Sequence, residues 1–218
     1  MKRYERKFIF DKGNLDLIYQ ILKNFGYQEE YPKRELTSIY YDSTDFFLYK
    51  LSVNGVSERK KIRIRFYNNN VSDAIIEYKF KSGELGWKEF SEIDSQKYNP
   101  IKKLEIQNKL FNDKLYIPIT IDKIYQPNLM VIYTRNYFKS KISLNRITLD
   151  NNIKFKKIFK TSSLNNFQNF IENINPVLEV KYDHINSPDY KIIDFFSKYL
   201  NLNYTRFSKY CEGIESCF

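Results

Sequence analysis

The chain has 218 residues, with 36 Lys and Arg against 26 Asp and Glu, which gives a formal net charge of +10 and a pI near 9.3. Its 42% hydrophobic and 17% aromatic content supplies a sizeable core and excludes a disordered tail. None of the six glycines falls in a GxGxxG or GxxxxGK pattern, and one histidine (His184) with two cysteines (Cys211, Cys217) offers no zinc-finger spacing, so Rossmann, P-loop, zinc and histidine-triad chemistries are excluded.

Taken in chain order, residues 3–10 alternate as a strand, and Asn14 is placed to cap a helix with the apolar stripe Leu15, Ile18, Tyr19 and Leu22, stopped at Gly26. Strands follow at 37–41, 60–67 and 74–81, with Asn68-Asn69-Asn70 as a turn between the last two. Asp42-Ser-Thr-Asp45 reads as a turn closed by side-chain-to-backbone bonds. Asn99-Pro100 opens a second helix carrying Ile101, Leu104 and Phe111. Further strands are expected at 131–138, 146–150 and 177–182, with loops at Asn151-Asn152 and Asn165-Asn166. Ser187-Pro188 opens a third helix carrying Ile192, Phe196, Tyr199 and Leu200. No linker divides the chain, so a single domain over 1–218 is expected, of α+β class with a mostly antiparallel sheet. The longest apolar run, residues 129–133, is far too short to span a membrane, and no signal-peptide pattern follows Met1; a soluble, cytoplasmic protein is expected.

The strands carry an unusual charge pattern. In Lys61-Ile-Arg63-Ile-Arg65-Phe66 three cations share one face and three apolar residues the other. Glu77, Lys79 and Lys81 share a face of the next strand, as do Arg3, Glu5 and Lys7 of the first, and Glu179 and Lys181 alternate with Leu178, Val180 and Tyr182. An ordinary amphipathic sheet with charges toward water is one reading. The other is a closed β-barrel with helices packed outside and a charged, water-filled interior. The abundance of Arg in register with Glu, and bulky opposite faces that need cover, favour the second. Such a lining, with Lys7, Arg63, Arg65, Lys79, Arg135, Arg146 and Lys209 against Glu5, Glu77 and Glu179, carries a net +4. That suits a polyanion: guanidinium forks match phosphate oxygens, and glutamates offer hard oxygen ligands to a divalent cation bridging phosphates.

Eight stretches resemble the VTC branch of the triphosphate tunnel metalloenzymes, a superfamily that also holds the CYTH enzymes. They are RYERKFIF (3–10), SIYYDSTDFFLY (38–49), KIRIRFY (61–67), IEYKFK (76–81), YTRNYF (133–138), RITLDNNI (146–153), VLEVKY (177–182) and RFSKY (206–210), in the family's order. The CYTH pattern Glu-x-Glu-x-Lys has Arg3 in its first position here, which favours the VTC branch. The resemblance implies a triphosphate tunnel fold whose Arg63, Arg65, Lys79, Arg135, Arg146, Ser208 and Lys209 grip substrate phosphates, with Lys7 at the entry strand. Lys61 and Lys181 are further candidate cations. It implies Glu179 as ligand of Mn2+ or Mg2+, with Glu5 and Glu77 as further ligands or as counterions. The implied activity is transfer of the γ-phosphoryl of ATP onto a growing polyphosphate chain. Hydrolysis of an inorganic, thiamine or nucleoside triphosphate is the alternative, and pyrophosphate or triphosphate are further expected ligands.

Neither reaction requires a protein nucleophile or a histidine base, because the attacking group is a phosphate oxygen or water. Tyr133 and Tyr210 are candidates to pack on a base or ribose. A non-catalytic binder of polyphosphate or nucleic acid is the third reading, and it ranks last with nucleic acid not expected as a partner, since the aromatics are expected to alternate away from the arginines.

Overall fold

The computed structural model describes residues 4–83, 85–92, 125–140, 146–158, 170–173, 175–182 and 190–218. In chain order the elements are β1 (Tyr4–Ile9), α1 (Leu15–Asn24), β2 (Tyr27–Asp42), α2 (Phe47–Val53), β3 (Glu58–Tyr67), β4 (Asn70–Ser82), β5 (Leu85–Glu92), β6 (Gln126–Ser140), β7 (Arg146–Lys157), β8 (Ile171–Asn173), β9 (Val177–Tyr182), α3 (Tyr190–Tyr199), β10 (Tyr204–Thr205) and α4 (Lys209–Cys217). The strands form one antiparallel sheet in the order β10-β1-β9-β7-β6-β2-β3-β4-β5, with β8 paired to β7. The expected α+β class is met. The expected helix at Asn99-Pro100, the loop at Asn165-Asn166, His184 and the opening Ser187-Pro188 lie outside the described residues.

The sheet curls strongly. Lys79 on β4 reaches Glu5 on β1 at 3.4 Å although five strands separate them in the sheet order. The expected closed barrel is nevertheless corrected: among the described residues no backbone pairing joins β5 to β1 or β10, and side chains alone cross the gap. Alternation fixes which side chains share a face, whereas closure needs strand number, tilt and shear to match as well. The result is a trough.

Two apolar clusters lie on the convex face. Helices α1 and α3 cover one end of the sheet, where Ile18, Leu22, Ile192 and Phe196 pack on Phe8, Leu149, Leu178 and Val180. Each such fully buried side chain contributes roughly 1.5–3 kcal/mol. The second cluster sets Leu48 of α2 with Ile39, Ile62, Ile64, Ile76 and Met130. The third lies inside the trough: α4 and the residues before it place Phe207, Tyr210 and Ile214 against Leu36, Tyr40, Leu129, Val131 and Phe155. Close approach requires Gly213, where a Cβ would meet Leu129 Cδ2 at 2.5 Å and Phe155 Cδ1 at 2.8 Å. One end of the trough is therefore filled by α4.

Local signals explain most boundaries. Asn68 and Asn69, at φ 49° and 58°, make the tight turn between β3 and β4. Asn14 makes no side-chain cap bond; Asp11 instead accepts from Gly13 N at 2.7 Å, in the turn that precedes α1. Asp42 carries the turn expected for residues 42–45, accepting from Ser43 N at 2.7 Å and from Leu48 N and Tyr49 N at 2.9 Å, so it serves the orphan amides at the start of α2. The expected loop at Asn151-Asn152 is instead an irregularity within β7, with Asn152 at φ 51°. It switches the inward set from Thr148 and Asp150 to Ile153 and Phe155, so the strand faces charge at one end and the apolar plug at the other.

Candidate active site

The concave face gathers its charges around three carboxylate nodes. On β4, Glu77 is 1% exposed and holds three cations: Arg63 Nη2, Arg65 Nη1 at 3.2 Å and Lys88 Nζ at 2.8 Å. Register places Arg63 opposite Glu77, and Lys88 lies on the neighbouring strand β5. Burial pushes the Glu77 carboxyl up, but Arg63, Arg65 and Lys88 outweigh it and hold the group well below the ordinary carboxylate range. Lys88 is also lowered, to about 7, which in its case favours the neutral form. Burial of its ammonium end and the charge of Arg63 overcome a Glu77 already shared by two guanidiniums.

The second node is Asp150 on β7. It takes Arg135 Nε at 2.5 Å and Nη2 at 2.7 Å, the bidentate fork, and also the ammonium of Lys209. Lys209 thus ties the start of α4 to the trough floor. The same two cations stand over the Tyr133 ring, Arg135 Cζ at 5.3 Å and Lys209 Nζ at 4.6 Å from its centroid. Burial would raise the Tyr133 phenol, yet Arg135, Arg65 and Lys209 bring it down.

Glu5 and Glu179 form the third node. Lys7 Nζ lies 3.0 Å from Glu5 Oε1 and 3.9 Å from Glu179 Oε2; Lys181 reaches Glu179 at 3.0 Å. Register pairs Lys7 with Glu179 and Glu5 with Lys181, which crosses the charges between β1 and β9. Burial and the facing Glu179 raise Glu5, but Lys7, Lys79 and Lys181 hold it down at about 2. Glu179 is also held well below its ordinary value: burial opposes ionisation, and Lys181 and Lys7 favour it more.

Lys61 has no carboxylate partner among the described residues. It donates to Ser208 Oγ at 2.6 Å and lies 3.7 Å from Cys211 Sγ, and burial lowers its pKa to about 8. Ser208 caps α4 by accepting from Cys211 N. Lys7 Nζ also donates to the carbonyl of Phe207 at 3.0 Å, so the approach to α4 faces the cations.

The structure therefore brings together Lys7, Lys61, Arg63, Arg65, Lys79, Arg135, Lys181, Ser208 and Lys209 with Glu5, Glu77, Glu179 and Tyr133. Arg146 stands apart. It sits at the rim, its side chain 49% exposed and paired with Glu30 at 3.1 Å. Tyr210 and Tyr133 are each 1% exposed, and Tyr210 bonds Asp42 while stacking on Tyr40, so neither ring is open to a base. Two members of the nodes were not expected from the sequence, Asp150 and Lys88. Asp150 had a period-2 signal, sharing the parity of Arg146 and Thr148, whereas Lys88 had none, because Gly86 and Phe90 on its face carry no charge. Tyr40, which accepts from Arg63 Nη1 at 3.0 Å, was likewise not singled out.

With Lys88 and Asp150 included, the three nodes and Lys61 set nine cationic side chains against four carboxylates. Donors are also left over. Arg63 Nε, Arg65 Nε, Ser38 Oγ and Thr148 Oγ1 are buried with no hydrogen-bond partner. Such groups cost about 1–3 kcal/mol each when left unmade, and they are not confined to this face, since Thr37 Oγ1 and Lys60 Nζ on the convex side are orphaned as well.

The family model for the VTC domain matches residues 2–218. The chain belongs to the VTC domain family. Solved structures similar to this VTC domain share its fold at low identity. The Hippeastrum protein HpAC1, a proposed adenylyl cyclase described as having a dominant triphosphatase activity, superposes with a TM-score of 0.57 at 13% identity, covering 100% of this chain and 97% of its own. An adenylate cyclase-like protein of Bacillus halodurans gives 0.53 at 15% identity, covering 94% of this chain and 93% of its own. Protein PH1819 of Pyrococcus horikoshii gives 0.52 at 16% identity, covering 97% and 96%. No curated protein matches the chain. Among the described residues of this VTC domain no helix is long and apolar enough to cross a membrane.

The family's fold implies a divalent cation. No group of three or more His, Cys, Asp or Glu side chains among the described residues is placed to hold one. Glu77 is fully engaged by cations. Glu5 and Glu179 fit better: both face the trough, both are held ionised, and both offer hard oxygen donors. A cation held by these two would complete its shell with phosphate and water oxygens.

Proposed function

We propose that this VTC domain transfers the terminal phosphoryl group of ATP onto the end of a polyphosphate chain. The observation that carries the reading is the surplus of nine cationic side chains over four carboxylates on one concave face. A linear run of phosphates supplies acceptors in the needed number and neutralises the surplus. In the transfer, the bond between the β-bridging oxygen and the γ-phosphorus breaks and ADP leaves with the electron pair. A terminal oxygen of the acceptor chain forms the new bond to phosphorus. Arg63, Arg65, Arg135 and Lys209 surround the charge that spreads over the transferred oxygens, and Lys7, Lys61 and Lys79 hold the flanking phosphates. A divalent cation at Glu5 and Glu179 would supply charge neutralisation between phosphates. The remaining work is positioning and electrostatic stabilisation, which the side chains achieve without a nucleophile of their own.

Hydrolysis is the second reading. It is favoured by the open seam of the trough, where water reaches Lys79, and by the triphosphatase activity described for HpAC1. Incubation with ATP and Mg2+ or Mn2+ separates the two. Long-chain polyphosphate with ADP supports transfer; orthophosphate as the sole phosphate product supports hydrolysis. Failure to consume ATP or to bind tripolyphosphate would remove both.

A further inference from the structure

Past Arg65 of the Glu77 node and Arg135 of the Asp150 node the inner face also carries tyrosine rings, which corrects the expectation that the aromatics lie away from the arginines. Tyr67 follows Arg65 by two residues on β3, and Tyr137 follows Arg135 by two on β6, so each ring lies on the inner face about 7 Å past its own arginine. Tyr67 is level with Tyr133 across Leu36, and Tyr137 lies further along than Arg135. Tyr31 of β2 is the register partner of Tyr137, and their ring centroids lie 5.9 Å apart at 86°. Arg34, the register partner of Arg135, places its guanidinium carbon 5.1 Å from the Tyr31 ring centroid and 5.9 Å from that of Tyr67. Arg34 has no carboxylate partner among the described residues, and Tyr31 is 40% exposed. Tyr31 and Tyr137 belong to none of the three apolar clusters, whereas Tyr67 is partly buried against the third and so fixes the inner edge of the group.

We propose that Tyr31, Arg34, Tyr67 and Tyr137 form a platform for the nucleobase at the open end of the trough, which selects nucleoside triphosphates over inorganic tripolyphosphate. The proposal rests on the reading of the charged nodes as a phosphate site. Three rings and a planar guanidinium offer π-faces that accept any base, and the step of two residues from Arg65 and Arg135 leaves room for a ribose. Such a collar gains nothing from a bare phosphate chain. It takes the place of Tyr133 and Tyr210, which the fold seals away.

The test is titration of the full chain, with Mg2+, by the imido-bridged ATP analogue and separately by inorganic tripolyphosphate. Tyr67→Ala with Tyr137→Ala, and independently Arg34→Ala, should weaken the nucleotide about tenfold or more and leave tripolyphosphate within about twofold. The retained tripolyphosphate affinity reports an intact fold. Tyr67→Phe with Tyr137→Phe, which keeps both rings, should keep the nucleotide affinity. Equal weakening of both ligands, or of neither, in the alanine and Arg34 variants overturns the platform. Arg63→Ala is the separate control: it should weaken both ligands alike, and if it alters neither, the phosphate reading falls and the platform with it.

Discussion

Lys79 on β4 and Glu5 on β1 meet at 3.4 Å across the mouth of a sheet whose edges do not pair. The contact joins the two halves of the trough by charge alone. Both side chains are partly open to water, so the pair contributes little to stability, about 0.2–1 kcal/mol. An anion between the halves gains from Lys79 what the fold does not need from it.

Lys79→Ala should therefore weaken tripolyphosphate binding by roughly ten- to hundredfold, the loss of one charge-assisted contact, with a melting temperature within a few degrees of the parent. Calorimetric titration beside a thermal melt checks both halves. Severe unfolding with affinity retained would assign Lys79 to the scaffold instead.

Glu77 behaves differently, because its removal leaves Arg63, Arg65 and Lys88 facing one another in a buried place. Glu77→Gln should cost about 3–5 kcal/mol, measured by urea denaturation. Added tripolyphosphate should restore more stability to this variant than to the parent, since it replaces the missing counterion. A variant as stable as the parent would mean that the three cations are not held by Glu77.

Acid should loosen the same nodes. The folded carboxyl of Glu5 lies at about 2, below its ordinary 4.5, and those of Glu77, Asp150 and Glu179 are also depressed. The stability they confer is complete above about pH 4.5 and is lost as pH falls through the folded values, so for Glu5 the loss runs from about 4.5 to about 2. Glu5→Gln should flatten that part of the stability profile. An unchanged acid limb would refute the assignment.

Binding should take up protons near neutral pH. Lys61 and Lys88 titrate at about 8 and about 7 because they are buried among other cations, and an arriving phosphate raises both values. Affinity for the imido ATP analogue should fall as pH rises from about 7 to 9, and Lys61→Met should reduce the proton uptake seen by titration in buffers of differing ionisation heat. Zero uptake in the parent at pH 8 would contradict the assignment.

Lys60 is the misfit of the convex face. It is 1% exposed, its Nζ has no hydrogen-bond partner, and it lies 5.5 Å from the centroid of the Tyr125 ring. Burial lowers its pKa to about 8 from 10.5, so the folded state is penalised at neutral pH and recovers as pH rises from about 8 toward 10.5. Lys60→Met should stabilise the protein by about 1–3 kcal/mol at pH 7, with the gain shrinking in alkali. Destabilisation at pH 7 would reveal a positive role for this ammonium.

Much of this was legible from alternation. The period-2 pattern located β1, β3, β4, β6 and β9 and placed Arg63, Arg65, Lys79 and Glu179 on common faces, because strand parity is a local property. Closure was not legible, since it depends on how two distant edges meet. Helix α2 was missed because it has only seven residues and its first amides are served by Asp42 from the preceding strand. Arg135 and Lys209 were read as cations that grip phosphates, and their pairing with Asp150 is a contact between elements that no local window contains. Arg146 shares the parity of Asp150, yet it lies at the end of its strand, where the face runs out into solvent.

The helix seated against Leu129 and Phe155 at Gly213 stops one end of the trough, while the seam between the β5 and β1 edges carries no backbone pairing among the described residues. Under the proposed transfer, a growing polymer abuts this stopper with its tip and its tail leaves over the unpaired side or the far rim. The distance from stopper to rim therefore decides how many links are gripped at once and not how long the polymer becomes.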